Sequence, residues 1–244
     1  MNSSRQVAVV TGGAQGIGLA IVERLAEDGF AVLAIDRNAT ALEREQNRLA
    51  GRGLDVTARA ADVTDRAAIK AALDEQPRID VAVCAAGIYW PKTFRDATED
   101  DFRRMYEVNL IGVFVTAQEA VKRMQPGGRV VFISSRGALG GTGFPHYVAS
   151  KAAVIGLVRA MAMELRQDRI AVNSVAPGFT DTPMTRSAPP DLFKQWEAIE
   201  PAGKAADPTE IANAVAFFAS PRTSFVTGQT LFVDGGKSLG GLSI

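Results

Sequence analysis

The chain has 244 residues, of which 47% are hydrophobic and 22% are charged, a composition typical of a packed globular domain. Because 27 basic residues balance 27 acidic ones, no overall positive field attracts nucleic acid or an anionic membrane, and no apolar run reaches the roughly 18 residues that span a bilayer. Cys84 is the only cysteine, so no intrachain disulfide can form, and the opening "MNSSRQ" lacks the layout of a signal peptide, which together predict a protein of the reducing cytoplasm.

Short runs rich in β-branched residues recur along the chain and are typical of buried parallel strands. They lie at 7–10, 31–35, 81–84, 129–133, 170–175 and 230–234. Apolar residues at helical spacing recur between them, at 17–25 and near 39–50, 99–124, 147–166 and 208–219. The alternation predicts an α/β fold with one doubly wound parallel sheet of about seven strands and helices on both faces. No linker or repeat interrupts it, so residues 1–244 are predicted to form a single domain.

A glycine-rich turn, "TGGAQGIG", follows the first run and carries Gly12, Gly16 and Gly18 into the first helix. Glycines permit positive φ and close backbone approach, while the N–H groups and dipole of a helix N-terminus attract a pyrophosphate. Asp36 follows the second run, where a carboxylate can bond both ribose hydroxyls and repel a 2′-phosphate. These features predict a dinucleotide site. The alternatives are a turn that merely closes a βα unit and an ordinary surface aspartate.

Candidate chemistry lies in "YVASK", where Tyr147 and Lys151 are four residues apart and would share one face of a helix. An ammonium beside a phenol stabilises the phenolate and lowers the tyrosine pKa from about 10, which favours a general acid/base. A chance pair on a solvated helix face is the alternative. His146 would face away from Tyr147, so we expect a substrate-side or surface neighbour without a catalytic role. Ser134 and Ser135 follow "RVVFI", and a serine there could hydrogen-bond a substrate oxygen as charge develops.

These motifs stand in the order of a known family. They are "TGGAQGIG", Asp36, "AAGI" at 85–88, Asn109, the paired serines, "YVASK", "PG" at 177–178 and "TGQTLFVDGG" near the end. The whole chain resembles the short-chain dehydrogenase/reductase family. The resemblance implies a Rossmann-type core, a bound nicotinamide cofactor and hydride exchange with an alcohol or carbonyl, and no metal.

The resemblance also implies which residues surround the cofactor, taken here as NAD. They are Gly12, Gln15, Gly16, Ile17, Gly18, Asp36, Arg37, Asp62, Val63, Ala86, Gly87, Tyr147, Lys151, Pro177, Gly178, Thr180 and Thr182. One segment departs from the family pattern, because the usual "NNAG" is replaced by Cys84, Ala85, Ala86 and Gly87. The loss of both asparagines affects strand packing rather than the cofactor site, and Cys84 is expected to be a small, inert buried residue.

In the family's mechanism Tyr147 would transfer the proton, while Lys151 would lower its pKa and bond the nicotinamide ribose. Asn109 would anchor a water for proton relay, although a helix-interior amide that bonds the backbone is the alternative. The family's usual spacing of thirteen before Tyr147 points to Ser134 as the catalytic serine, whereas the strand register points to Ser135. A strand slip reverses every side chain, whereas a shortened loop costs little, so we predict that Ser135 is catalytic and that Ser134 points away.

The predicted function is hydride transfer between NAD(H) and a small secondary alcohol or its ketone. One alternative is a 3-oxoacyl-thioester (acyl-carrier-protein) reductase that uses NADPH. Asp36 argues against it, although Arg37 could partly compensate for the repulsion. A second alternative is a catalytically silent nucleotide-binding protein, since a fold does not fix function. Tyr147, Lys151 and Asn109 argue against that alternative.

Residues 182–205 are predicted to form a lid over the substrate, within a proline-rich stretch, 176–207, that lacks a strand run. Its expected apolar inner face comprises Met184, Leu192, Phe193, Trp196 and Ile199. The resemblance sets four further apolar residues near the pocket mouth, namely Tyr89, Trp90, Leu139 and Phe144. A compact, largely apolar substrate follows, with a cyclic or aromatic body as one form.

The competing possibility is a carboxylated substrate held by Arg136, or by Arg186 or Lys194 in the lid. Arginines in loops more often form surface ion pairs of little energetic value, so we favour the neutral substrate.

A homotetramer is expected, partly from the resemblance. The helix after Tyr147 carries small residues that would permit close helix contact between subunits, namely Ala149, Ala152, Ala153, Gly156 and Ala160. The alternative is that they pack inside one subunit.

Overall fold

The structure is a computed structural model that describes residues 5–240, so most of "MNSSRQ" lies outside the described residues. Seven strands form one fully parallel sheet in the order β3-β2-β1-β4-β5-β6-β7. The strands are β1 (Val7–Thr11), β2 (Ala31–Asp36), β3 (Val56–Ala60), β4 (Val81–Cys84), β5 (Arg129–Ile133), β6 (Ala171–Pro177) and β7 (Thr230–Val233). The prediction of a single-domain, doubly wound α/β fold is confirmed.

The helices cover both faces of this sheet, as the sequence pattern predicts. They are α1 (Gly16–Glu27), α2 (Ala39–Ala50), α3 (Arg66–Asp74), α4 (Glu99–Tyr106), α5 (Val113–Val121), α6 (Pro145–Leu165), α7 (Pro183–Arg186), α8 (Pro190–Ala198) and α9 (Pro208–Ala219). Successive strand side chains point to opposite faces. Val10 accordingly packs in a core with α1 and α9, whereas Val9 packs in a second core with α3, α5 and α6.

Two elements carry no strong sequence pattern. Strand β3, "VTARA", lies at the edge of the sheet and buries only Val56, and α3 is a short helix of nine residues. The predicted helix over 99–124 contains a π-helical segment, Glu107–Gly112, between α4 and α5. The stretch at 176–207 contains the end of β6, the short helices α7 and α8, and a bridge between Thr180 and Ala206.

The strand order reverses between β1 and β4, since β2 and β3 extend the sheet on one side and β4 to β7 on the other. At such a switch point the loops leaving neighbouring strands diverge and open a crevice at the carboxyl ends. The glycine turn after β1 and the "AAGI" segment after β4 meet at this crevice. The fold thus assembles the two segments that the sequence analysis assigns to a cofactor.

No helix within residues 5–240 combines the length and apolar character needed to cross a bilayer. Over the same residues, the structure shows no cluster of three or more histidine, cysteine or acidic side chains suited to a metal ion.

Candidate active site

One open cleft of about 270 Å³ lies at the carboxyl ends of the central strands. Its walls include every residue that the sequence analysis assigns to the cofactor, from Gly12 in the glycine turn to Thr182 at the lid. Ser134, Ser135 and Met184 line it as well. The remaining predicted site residues do not line this cleft, namely Asn109, Arg136, Tyr89 and Phe144.

The glycine turn has the geometry of a phosphate cradle. Gly12 and Gly16 have φ of +72° and +55°, which L side chains rarely adopt. A Cβ on Gly18 would lie 2.0 Å from the carbonyl oxygen of Gly12, so only glycine fits there. The N-cap of α1, Gln15, makes no side-chain capping bond, and the first turn holds no acidic residue. The N–H groups of this turn are thus suited to an anion such as a pyrophosphate, so the residues present fit a dinucleotide.

The nucleoside end of the cleft is marked by two carboxylates. Asp36 accepts hydrogen bonds from the N–H groups of Ala14 (3.2 Å) and Asn38 (3.0 Å), which fix its orientation at the cleft wall. Asp62 accepts a bond of 2.9 Å from the N–H of Thr64, and this bond is the main reason why its pKa lies below the usual range. Fixed carboxylates at this end suit ribose and adenine donors and disfavour an additional phosphate.

Tyr147 and Lys151 lie on α6 and both line the cleft. Lys151 is 4% exposed, and its Nζ donates a hydrogen bond of 2.9 Å to the carbonyl oxygen of Ile133. The same Nζ lies 5.8 Å from the centre of the Tyr147 ring. The helical spacing therefore brings the phenol and the ammonium together as neighbours without a direct hydrogen bond between them.

The pKa values of Tyr147 and Lys151 differ from one expectation that the sequence raised. Burial raises the pKa of Tyr147 above its usual value, and a hydrogen bond with Ser135 opposes this only in part. Burial also lowers the pKa of Lys151 to about 8. The expected lowering of the Tyr147 pKa by Lys151 is thus absent from the protein alone, because desolvation of the buried phenol is the largest influence on this pKa. The phenol is the stable form at neutral pH, which is the form that donates a proton.

The paired serines face different partners. Ser135 lies close enough to Tyr147 to lower the pKa of the phenol, and its Oγ accepts a bond of 3.0 Å from the N–H of Gly137. Ser134 is 2% exposed, and its Oγ donates a bond of 2.8 Å to the carbonyl oxygen of Lys151. Ser135 is therefore the hydroxyl beside the phenol, and Ser134 ties the end of β5 to α6.

Asn109 is fully buried in the π-helical segment. Its Oδ1 accepts from the N–H of Ile88 at 2.8 Å, and its Nδ2 lies 3.0 Å from the carbonyl oxygen of the same residue. Nδ2 also lies 3.3 Å from Oγ of Ser150, which in turn donates to the carbonyl oxygen of Tyr147. Asn109 thus bonds the backbone, the alternative considered from sequence, and connects the loop after β4 to α6. The role of Ser150 is missed by sequence reasoning, although it lies inside "YVASK".

The lid is anchored on the cleft at its first helix. Gly16, Thr182 and Pro183 meet closely, since a Cβ on Gly16 would lie 3.3 Å from Thr182. Phe193 and Trp196 of α8 pack against Phe179, with ring centres 5.0 and 5.7 Å apart from it.

Two other apolar residues of the lid are exposed. Leu192 and Ile199 are 37% and 65% exposed and, unlike Met184, do not line the cleft, so the structure does not place them on the predicted inner face. A helix of nine residues has room for one buried face, and the pair at 193 and 196 occupies it.

The residues predicted at the pocket mouth separate into two groups. Tyr89 and Phe144 contact the Tyr147 ring, with centres 5.2 and 6.2 Å away. Trp90 instead donates to Asp101 and packs on His146, and Leu139 is largely exposed.

The three cations predicted as alternative anion sites differ in their surroundings. Arg186 is paired with Asp181 through two bonds of 2.6 Å, and Arg136, which begins the 3-10 turn Arg136–Leu139, is outside the cleft wall. Lys194 is exposed on α8.

His146 differs from its sequence expectation as a surface or substrate-side neighbour. The ring is fully buried between Trp90 (5.0 Å) and Phe102 (6.0 Å), and burial lowers its pKa. The first turn of α6 directs the ring toward α4, away from Tyr147. Sequence reasoning could not distinguish this buried position from a solvent-facing one.

Cys84 is buried in β4, and burial raises the pKa of its thiol, as expected for an inert cysteine.

Comparison with known proteins gives a consistent set of relatives. A family profile described as enoyl-(acyl carrier protein) reductase matches residues 12–238. The chain is 38% identical to the (2S)-[(R)-hydroxy(phenyl)methyl]succinyl-CoA dehydrogenase subunit BbsD of Thauera aromatica, covering 98% of this chain and 99% of that protein. It is 36% identical to the 3-oxoacyl-[acyl-carrier-protein] reductase FabG of Vibrio cholerae, covering 97% and 98%. The solved short-chain dehydrogenase/reductase from Serratia marcescens superposes with a TM-score of 0.89 at 36% identity, covering 96% and 98%.

Proposed function

The chain belongs to the short-chain dehydrogenase/reductase family of oxidoreductases, and from this premise we propose that it transfers a hydride between NAD(H) and a small, largely apolar secondary alcohol or its ketone. One observation carries the proposal. A single cleft joins a glycine cradle with a free helix N-terminus at one end to Ser135, Tyr147 and Lys151 at the other. A dinucleotide bound along this cleft would have its reactive end beside the proton donor.

Bound nicotinamide supplies the hydride chemistry, and the protein supplies position, charge and a proton. Tyr147, held as the neutral phenol by burial, donates its proton to the substrate oxygen in ketone reduction and, as phenolate, accepts one in alcohol oxidation. The hydroxyl of Ser135 donates to the same oxygen as negative charge develops on it.

Lys151 acts on the proton-transfer step through its charge. With a pKa of about 8, its ammonium form predominates at neutral pH, and it lies close enough to the Tyr147 ring to stabilise the phenolate that forms during turnover. Its bond to the Ile133 carbonyl holds Nζ at the cleft wall, where it can also donate to a ribose hydroxyl. Asn109 holds Ile88 and the adjoining loop, so we assign it a positioning role that is compatible with an ordered water near Lys151.

The preference for NAD(H) over NADP(H) rests on Asp36. Its carboxylate is oriented by two backbone N–H groups at the end of β2, where it can pair with ribose hydroxyls and repel a 2′-phosphate. Arg37 lies beside it at the cleft wall and favours the opposite choice. The carboxylate dominates in this proposal because two backbone N–H groups hold it in place, whereas the side chain of Arg37 is exposed.

A second candidate is a 3-oxoacyl-thioester reductase that uses NADPH. The family profile, the Vibrio cholerae relative and Arg37 favour it. Asp36 and the aromatic side chains beside Tyr147 favour the first candidate. A catalytically silent nucleotide-binding role is the least favoured, since Ser135, Tyr147 and Lys151 share the cleft.

We further propose that the protein works in the cytoplasm as a homotetramer on a small-molecule alcohol or carbonyl, without a nucleic acid or membrane partner. The balanced charge and the lone buried cysteine support this setting.

The test is an assay of the purified protein with NADH and NADPH against neutral ketones, carboxylated ketones and acetoacetyl thioesters, following the absorbance of the reduced nicotinamide. Tyr147→Phe is expected to lose at least about 100-fold in kcat while binding NADH nearly unchanged. Fastest turnover of a thioester with NADPH would favour the second candidate. Nucleotide binding without turnover of any carbonyl would favour the silent role.

A further inference from the structure

We propose that Tyr89 and Phe144 form a preorganised aromatic wall that selects ketones and alcohols whose reacting carbon belongs to a ring or is bonded to one. This inference rests on the proposed function and names the substrate class of the same site. It begins with three rings. Tyr89 lies 5.2 Å from Tyr147 at 88° between ring planes, and Phe144 lies 6.2 Å from it at 79°. Tyr89 and Phe144 also contact each other, at 5.7 Å.

The wall lies on the substrate side of the site. Tyr147 lines the dinucleotide cleft. Tyr89 and Phe144 contact the Tyr147 ring but do not themselves line that cleft. Both rings are only partly buried, so they border the approach to the phenol from outside. A substrate whose oxygen reaches the Tyr147 hydroxyl therefore has these rings beside its carbon skeleton.

The residues on both sides of Tyr89 are held in place, Ile88 through its backbone and Trp90 through its side chain. Ile88, which precedes it, exchanges two hydrogen bonds with the Asn109 side chain, at 2.8 and 3.0 Å. Trp90, which follows it, donates to Asp101 at 3.1 Å and packs on the buried His146. A ring held in this way has little freedom left to lose when a substrate binds, and preorganisation of this kind increases selectivity.

The Phe144 ring packs over Gly141. A Cβ on Gly141 would lie 2.5 Å from Cζ and 2.7 Å from Cε2 of the Phe144 ring, so the ring occupies the place of a side chain. The φ of Gly141 is ordinary, so an alanine there would meet only the outer end of the ring and would displace it. The N–H of Lys92 also donates to the carbonyl oxygen of Gly143 at 2.8 Å, joining the Tyr89 loop to the Phe144 loop.

The charges around the wall fit a neutral ring better than an anion. Lys92 lies 3.8 Å from Asp101, and Arg186 is held by Asp181 and stacks on Phe193 at 4.0 Å. The charges of Lys92 and Arg186 are therefore already paired. Aromatic rings favour edge-to-face or offset contacts with another ring at 4.5–7 Å, and two such contacts correspond to a preference of about tenfold or more over an open chain.

The experiment compares matched ketones of equal carbon number with the cofactor that wild type prefers. Cyclohexanone is paired with 2-hexanone, and acetophenone with 2-octanone. The wild type is expected to show a kcat/KM ratio of about tenfold or more in favour of the ring in each pair. Tyr89→Leu and Phe144→Leu should bring the ratio close to one, with the dissociation constant of NADH unchanged. Tyr89→Phe, which keeps the ring, should keep the wild-type ratio.

Gly141→Ala tests the positioning of the wall separately, because it adds one methyl group that displaces the Phe144 ring without removing it. It should lower the ratio while leaving the thermal midpoint of unfolding close to that of wild type. Phe225→Leu, the same change at a fully exposed aromatic residue, is the matched control and should leave the ratio unchanged. A wild-type ratio at or below one, or a ratio that survives both leucine variants, would overturn the inference while the proposed function stood. Turnover of no ketone with either cofactor would reject the proposed function, and the inference with it.

Discussion

The hydroxyl of Ser134 donates a hydrogen bond of 2.8 Å to the main-chain carbonyl oxygen of Lys151, 17 positions away in sequence. This bond fixes α6 against the end of β5 and is made by a side chain that is almost fully buried. Ser134 is therefore committed to the scaffold, and the neighbouring hydroxyl of Ser135 is left beside the Tyr147 phenol. Adjacent strand residues point to opposite faces, so one serine of the pair serves packing and the other faces the chemistry.

Ser135→Ala is expected to lower kcat by about 100-fold or more, because it removes a donor to the oxygen on which charge develops. Ser134→Ala should retain most of the activity and lose about 1 kcal/mol of unfolding free energy, the usual contribution of one buried hydrogen bond. Steady-state kinetics and urea unfolding of both variants separate the two roles. A folded Ser134→Ala protein with the larger loss in kcat would contradict this assignment.

Asp36→Ala should shift cofactor choice toward NADP(H), because it removes the fixed carboxylate that repels a 2′-phosphate. We expect the ratio of kcat/KM for NADH to that for NADPH to exceed one in wild type and to fall by about tenfold or more in the variant. The adjacent Arg37→Ala should move the ratio in the opposite direction and serves as the control. A wild-type preference for NADPH would count against NAD(H) as the cofactor.

Much of the fold could be predicted because its central strands are buried on both faces and therefore read as uninterrupted apolar runs. Strand β3 escaped this reasoning since it lies at the sheet edge and buries fully only one of its five side chains, Val56. The π-helical segment at Asn109 also left no signal, because it differs from an α-helix in hydrogen bonding rather than in apolar spacing.

Side-chain direction was harder to predict than secondary structure. Periodicity marks the apolar faces of a helix but does not tell which neighbour covers each of them. Leu192 and Ile199 consequently face solvent while Phe193 packs on Phe179, and His146 is buried against Trp90 rather than exposed. The pKa of Tyr147 could not be predicted either, because helical spacing shows that Lys151 is near but not how completely both groups lose water.

Lys151→Met should abolish most activity yet stabilise the nucleotide-free protein at pH 7. The folded-state pKa of about 8 lies below the usual 10.5, so the unfolded chain binds more protons between these values and stability rises with pH across that window. Below it, the buried ammonium carries a cost of up to roughly 3 kcal/mol, offset in part by its bond to Ile133. Urea unfolding should give the methionine variant a larger free energy of unfolding than wild type at pH 7. The difference between the two proteins should be smaller at pH 9.5. A less stable variant with the wild-type pH slope would contradict the buried-ammonium account.

Protonation of His146 should make the protein less stable in mild acid. Burial holds its folded pKa below the usual 6.5, with Asp101 opposing and Lys92 reinforcing the shift, so the unfolded chain takes up the proton first as pH falls. The contribution of the neutral ring is therefore present above about pH 6.5 and is lost below it. Unfolding free energies at pH 8 and pH 5.5 should differ less for His146→Leu than for wild type. Equal differences in the two proteins would show that other groups carry the acid sensitivity.

The homotetramer can be tested on the outer face of α6. Val154, Val158 and Ala162 are buried on its inner face, whereas Ala152, Gly156 and Ala160 are exposed and Met163 is 68% exposed.

A Cβ on Gly156 meets no heavy atom within 4 Å, so a side chain can be added there without disturbing the subunit. Gly156→Arg would set a long charged side chain on a surface suited to close helix contact, and desolvating that charge between subunits is unfavourable. We expect light scattering to give about four times the 25.9 kDa subunit mass for wild type and a smaller assembly for Gly156→Arg, with unchanged far-ultraviolet circular dichroism. Ala50→Arg, at the exposed end of α2, adds the same charge elsewhere and should keep the wild-type mass. A wild-type mass of one subunit at micromolar concentration would contradict the tetramer. A tetrameric Gly156→Arg protein would show that the subunit contacts lie on another surface.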